Sequence, residues 1–169
     1  MSSQAPASPL RGELAVMGLT AAAVLLMDQV TKGLVIASIG LNQRVEVLGD
    51  VVVLWHVRNQ GAAFSLFQGG QLLFYAVTIL ALAMLVYFSR ALRGRGALLH
   101  VVLGLVLGGT LGNLVDRVRL GYVTDFVSVG IGDLRWPTWN VADASLVVGI
   151  LALVAYLTFF DTQRGEASA

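Results

Sequence analysis

No cysteine occurs among the 169 residues. Disulfide bonds, thiolate nucleophiles and cysteine-ligated metal centres are thereby excluded. Histidine occurs twice, at His56 and His100, and the pair forms no HExxH motif, so nothing supports a zinc-peptidase site. Lysine occurs once, so a serine–lysine dyad would have to rest on Lys32 alone. Charge is scarce as well. Asp, Glu, Lys and Arg make up 12% of the chain, against about 25% in ordinary soluble domains. The net charge of +1 gives no electrostatic footprint for nucleic acid. Apolar residues are in excess: 57% of the chain is hydrophobic and the mean hydropathy is +0.80. A soluble particle of this composition could not cover itself with polar groups, and the chain reads as membrane-resident.

Four runs are long and apolar enough to cross a bilayer, which takes about 20 residues. They are 14–36, 71–89, 96–115 and 141–160. The expected fold is a mainly α membrane protein, a single integral domain over 1–169 with four transmembrane helices. Residues 1–10 are expected to form a disordered tail. The first run continues past Asp28 and Lys32 as VTKGLVIASIG with no convincing A-x-A site after it, which argues against a cleaved signal peptide.

Arginine sets the expected orientation. The loop between the second and third runs carries Arg90, Arg93 and Arg95 and no acid, and short basic loops stay cytoplasmic. Both termini then lie inside, and the two longer loops, 37–70 and 116–140, lie outside. Both outer loops have strand character. In RVEVLGDVVVLWHV, alternation places Val51, Val53, Trp55 and Val57 on one face. In GYVTDFVSVG, Val123, Asp125, Val127 and Val129 share a face. A small extracytoplasmic β platform is expected, with Asp125 projecting from it. Gly104, Gly108 and Gly112, four apart, suit close helix packing in the third span. His100 reads as a structural or interfacial residue and His56 as a strand residue.

Charged groups inside a span cost roughly 2.5–3.5 kcal/mol each, so those present call for pairing or function. Asp28 and Lys32 share a helical face, either as an interfacial ion pair with the lysine snorkelling outward or as groups beside a site. Asn113, Asp116 and Arg117 share a face at the outer end of the third span. They form either a polar helix terminus or a site wall in which Arg117 orients a substrate carbonyl. Asn140 could cap the fourth span with Asp143 at its third position, a variant of the capping box that also suits the helix dipole.

Asp125 and Asp143 flank one outer loop, and folding it back would bring them together. Two carboxylates a few Å apart share one proton. The ionised one can take a proton from water that attacks a peptide carbonyl, while the protonated one donates to the carbonyl oxygen or the leaving amine. That is aspartic-protease chemistry.

Five segments in order resemble the bacterial lipoprotein signal peptidase family, signal peptidase II. They are DQVTK (28–32), RNQGAAFS (58–65), GGTLGNLVDR (108–117), VTDFV (123–127) and WNVADAS (139–145). The resemblance implies an intramembrane aspartyl endopeptidase of the bacterial cytoplasmic membrane, without metal or other cofactor. Its active site would lie at the extracytoplasmic face. Its substrates would be prolipoproteins whose lipobox cysteine already carries diacylglycerol, cut just before that cysteine. The family's catalytic pair falls on Asp125 and Asp143. Asn59, Asn113, Arg117 and Asn140 match residues that line or support the site. Gly61, opening the small segment GAAFS, is counted with them, as are Asp28 and Lys32. Membrane lipid and globomycin-type inhibitors are implied as ligands, and the chain is expected to act as a monomer. Trp136 and Trp139 suit the interfacial belt.

Two rival readings exist. GIGD (130–133) has the G-x-G-D pattern of presenilin-like and prepilin peptidases, which would move one catalytic acid to Asp133, but it lies in a polar loop. Alternatively, the paired acids could serve a small transporter or lipid-binding factor without chemistry. Against this, no charged group lies midway through the second, third or fourth run.

Overall fold

A computed structural model describes residues 9–61 and 71–159. Most of the expected tail, and residues 62–65 of GAAFS, lie outside them. Pro9 and Leu10, counted with that tail, instead open the first helix. Proline is well tolerated in a first helical turn, where its missing N–H would have had no partner.

The described residues hold four helices long and apolar enough to cross a membrane. They are α1 (Pro9–Ser38), α2 (Gln71–Ala91), α3 (Ala97–Leu120) and α4 (Val141–Phe159). Each coincides with one of the four apolar runs. α3 runs five residues beyond the expected Val115, because its end is set by Gly121 rather than by the loss of hydropathy. Gly121 adopts a left-handed conformation (φ 79°), and its N–H returns to the Arg117 carbonyl, closing the last turn.

α3 is the central helix. α1, α2 and α4 all pack on it, and it buries far more of its surface than they do. The other helices expose large apolar side chains such as Leu19, Leu26, Leu80 and Leu151, as lipid-facing helices do. Glycines set the closeness of the α1–α3 seam. A Cβ on Gly108 would stand 2.7 Å from the Val24 Cβ and 2.8 Å from the Ala21 carbonyl oxygen. A second apolar cluster of Leu85, Leu103 and Val106 ties α2 to α3, with Leu146 and Leu153 of α4 packed against it.

The two longer loops build one antiparallel sheet in the order β1 (Arg44–Leu48), β2 (Val52–Asn59), β3 (Val123–Ile131), β4 (Leu134–Arg135). Val35, Ile39 and Phe126 form a small core that seats it on the end of α1. The expected single face of Val51, Val53, Trp55 and Val57 is not kept. Val53 pairs with Ser128 and Leu54 with Val127, but Val57 pairs with Asp125, so the register shifts between Leu54 and Val57. Paired residues share a face. Leu54 and Val57 therefore face the same way, and Val53 faces the other. A bulge supplies the extra residue that reverses the alternation.

At the other end of the bundle, Glu13 of α1 accepts the N–H groups of Gly94 (3.1 Å) and Gly96 (3.4 Å) in the α2–α3 loop. His100 is fully buried there, its Nε2 3.8 Å from the Glu13 carboxylate. His56 is a buried strand residue hydrogen-bonded through Nδ1 to the Ile39 carbonyl.

Candidate active site

Two chain reversals converge where the sheet meets the helices. The first follows Gly121, where the chain leaves α3 and enters β3. Along β3 alternate residues face one way, and Asp125 lies opposite Val57. The β2 bulge puts Asn59, two residues beyond Val57, on that same face. Its Nδ2 donates to Asp125 Oδ2 at 2.8 Å. Its Oδ1 accepts the Gly61 N–H at 3.0 Å, so one side chain both holds the aspartate and shapes the next turn.

The second reversal ends at the start of α4. Asn140 Oδ1 accepts the Asp143 N–H (3.0 Å), and Asp143 Oδ2 accepts the Asn140 N–H (3.1 Å). These are the two reciprocal bonds of a capping box. The cap and the candidate catalytic acid are thus the same residue. Asn140 also reaches the other aspartate: its Nδ2 donates to Asp125 Oδ1 at 2.7 Å. A single asparagine therefore touches both acids.

Asp125, Asp143, Asn59, Gly61 and Arg117 line one cleft of about 1190 Å³ beneath the sheet. Trp136 and Trp139 also line it, and Trp136 is largely exposed. Arg117 lies 4.4 Å over the Phe74 ring and donates to the Asn113 carbonyl at 3.3 Å. The stacking leaves guanidinium N–H groups for a ligand in the cleft.

Asp125 is 1% exposed. Burial pushes its carboxyl up to about 7, and the nearby Asp143 carboxylate pushes in the same direction. Hydrogen bonds from Asn59 and Asn140 and the charge of Lys32 oppose the rise. A carboxyl near 7 can hold or release a proton at neutral pH, as acid–base catalysis requires.

Behind the cleft lies a buried polar layer. Asn113 Nδ2 donates to Asp143 Oδ1 at 2.7 Å. Lys32 Nζ lies 2.8 Å from Asp28, 3.1 Å from Asp116 and 3.2 Å from Asn113 Oδ1. Lys32 is 2% exposed, so the expected outward snorkelling is wrong. Two carboxylates and an amide oxygen at this depth outbid water for its ammonium group. Asp28 also accepts the Ala142 N–H at 3.0 Å, satisfying a first-turn donor of α4 from another helix. Asp116 faces this layer and not the cleft, taking the Thr124 N–H (3.0 Å) and Gln29 Nε2 (2.9 Å). Gln29 and the Thr124 backbone escaped the sequence reading. Both lie within quoted segments, DQVTK and VTDFV, but neither carries a charge to draw attention. Asp133 stands exposed in the β3–β4 turn at the cleft rim. Among the described residues, no group of three or more His, Asp or Glu side chains could hold a metal ion.

Comparison with known proteins agrees with this architecture. A lipoprotein signal peptidase of Geobacillus thermodenitrificans is 40% identical over 144 residues, 85% of this chain and 90% of that protein. One from Halothermothrix orenii is 38% identical over 134 residues, covering 79% and 89%. Among solved structures, a bacterial membrane enzyme determined in meso at 2.3 Å resolution superposes with a TM-score of 0.79. It is 32% identical, over 89% of this chain and 91% of that one. The family model for signal peptidase (SPase) II matches residues 20–159. A small transporter or lipid-binding assembly factor without chemistry is thereby set aside: with its span of match and its relatives, the chain belongs to the signal peptidase II family of peptidases.

Proposed function

We propose that this protein is an aspartic endopeptidase that removes the signal peptide from diacylglyceryl-modified prolipoproteins, cutting just before the lipidated lipobox cysteine. The observation that carries this reading is Asn140, which holds one oxygen of Asp125 and one of Asp143 at the wall of a single cleft. The two acids share one proton near neutral pH. The ionised member takes a proton from a water molecule, and the hydroxide equivalent attacks the scissile carbonyl. The protonated member donates to the carbonyl oxygen and then, as the intermediate collapses, a proton passes to the leaving amine. Arg117 presents N–H donors to the substrate carbonyl, and Gly61 lets the substrate backbone lie close to the wall.

The location of the cleft suits a lipid-tethered substrate. Withdrawing acyl chains from a bilayer costs about 0.8 kcal/mol per CH₂, so the enzyme must come to the interface where water and scissile bond meet. The cleft lies between the ends of the spanning helices and the sheet, with tryptophans at its rim. The basic loop at the opposite end would face the cytoplasm together with both termini, so that the cleft opens extracytoplasmically. Globomycin-type inhibitors would occupy this cleft. The enzyme would act as a monomer.

The test is cleavage of a diacylated lipobox peptide by purified enzyme in detergent. Asp125→Asn and Asp143→Asn should each abolish turnover while thermal melting shows a folded protein. Residual cleavage by both variants would defeat the reading.

A further inference from the structure

Lys32 lies too deep to meet substrate, yet it touches the amide that holds Asp143. Asn113 Oδ1 faces Lys32 Nζ at 3.2 Å and Asn140 Nδ2 at 3.2 Å. Both of those groups can only donate. An asparagine turned the other way would point its own NH₂ at an ammonium and at a second NH₂. The lysine therefore dictates which end of Asn113 faces which way, and leaves Nδ2 aimed at Asp143 Oδ1 at 2.7 Å.

Resting on the two-aspartate reading above, we infer that Lys32 is a positioning residue for the reaction: through Asn113 it orients Asp143. It acts on the chemistry without touching the substrate. The direct charged partners of Lys32 are Asp28 on α1 and Asp116 on α3, at 2.8 and 3.1 Å. Arg117 on α3 is a cation beside Asp143 on α4 and Asp125 on β3. Asp28 completes the arrangement by fixing the Ala142 N–H, so the turn that carries Asp143 is held from α1 as well.

The experiment compares two neutral pairs in the lipopeptide assay. Asp28→Asn/Lys32→Met removes one positive and one negative charge together, leaving the net charge of the layer unchanged, and deletes the donor to Asn113. Asp28→Asn/Lys32→Gln removes the same charges but keeps an N–H donor. With the methionine pair, kcat should fall on the order of tenfold or more with KM little changed, as for other groups that orient a reacting residue. Its acid limb in the kcat/KM profile should lie at higher pH than that of the glutamine pair, which carries the same charges, because Asp143 loses a firmly held hydrogen bond to its ionised form. The glutamine pair should recover much of kcat.

A purely structural lysine predicts something else: lower melting temperature, with a wild-type pH profile in whatever enzyme remains folded. That result in the methionine pair, or equal kcat in the two pairs, overturns the inference. Should the methionine pair fail to fold, the glutamine pair decides alone, and a folded glutamine pair without turnover overturns the inference. Asp125→Asn and Asp143→Asn run alongside. If they still cleave, the two-aspartate reading has failed; if they are dead while the methionine pair keeps wild-type kinetics, only the role of Lys32 has.

Discussion

Asn140 and Asp143 exchange two hydrogen bonds across the first turn of α4, side chain to backbone in both directions. A capping box ordinarily ends a helix and does no more. Here the acid of the box also lines a cleft, and the capping asparagine has a second amide hydrogen bond to spare for Asp125. Under the proposed mechanism, capping and catalysis would be served by one set of atoms, so the structural and the functional accounts of Asp143 do not compete.

Substitutions at Asn140 should separate the two roles. Asn140→Ala loses the cap, at about 1 kcal/mol, and strands buried acceptors, at roughly 1–3 kcal/mol more. Asn140→Asp keeps a capping oxygen but sets a third carboxylate against Asp125. Melting temperatures should fall clearly for the alanine variant and less for the aspartate one. Lipopeptide cleavage should be lost in both. An active, stable Asn140→Asp enzyme would refute the bridging role.

The raised carboxyl of Asp125 makes stability depend on pH. Its ordinary value is 3.8, and in the fold it lies at about 7. The folded state thus holds this proton more tightly than the unfolded chain, and folding gains from it at low pH. That gain is lost as pH rises from about 4 to about 7. Asp125→Asn cannot titrate, so it should be the more stable protein at pH 8, by at most roughly 4 kcal/mol. Melts of both proteins between pH 4 and 8 measure the difference; parallel curves would contradict it.

Gly112 should tolerate no side chain. A Cβ there would sit 2.7 Å from Asp28 Oδ2 and 3.0 Å from the Ala142 Cβ. Gly112→Ala is expected to cost about 1–3 kcal/mol through overpacking and to reduce cleavage by displacing Asp28 from the α4 terminus. Gly33→Ala, which would meet nothing within 4 Å, is the matched control and should cleave like wild type.

Asp133→Asn should leave cleavage intact. The residue is exposed in a turn, and a G-x-G-D acid would have to be enclosed near a partner carboxylate. Loss of activity with an unchanged melting temperature would transfer one catalytic role to Asp133.

Hydropathy made the four helices legible, because a spanning helix must be apolar over its whole length. Alternation made the strands of the two longer loops legible for the same kind of reason. It failed at the β2 bulge, since the extra residue between Leu54 and Val57 leaves no mark in composition. The polar residues of the site stood out against an apolar background, and the structure gathers Asn59, Asn113, Asp125, Asn140 and Asp143 into one hydrogen-bonded group. Of the two readings of Lys32, the outward-snorkelling one fails, and the ion pair with Asp28 forms in the interior. From sequence, its partner is the neighbour four residues away and its natural goal is water. Asp116 and Asn113 attract it inward, and they lie more than 80 positions along the chain.

Asp28 accepts an N–H of α4 while standing on α1. The first and last helices are thereby latched at the very turn that bears Asp143. A motion that parted them would unmake the cleft wall, so whatever flexing admits a bulky substrate has to spare this joint and fall on the parts outside it.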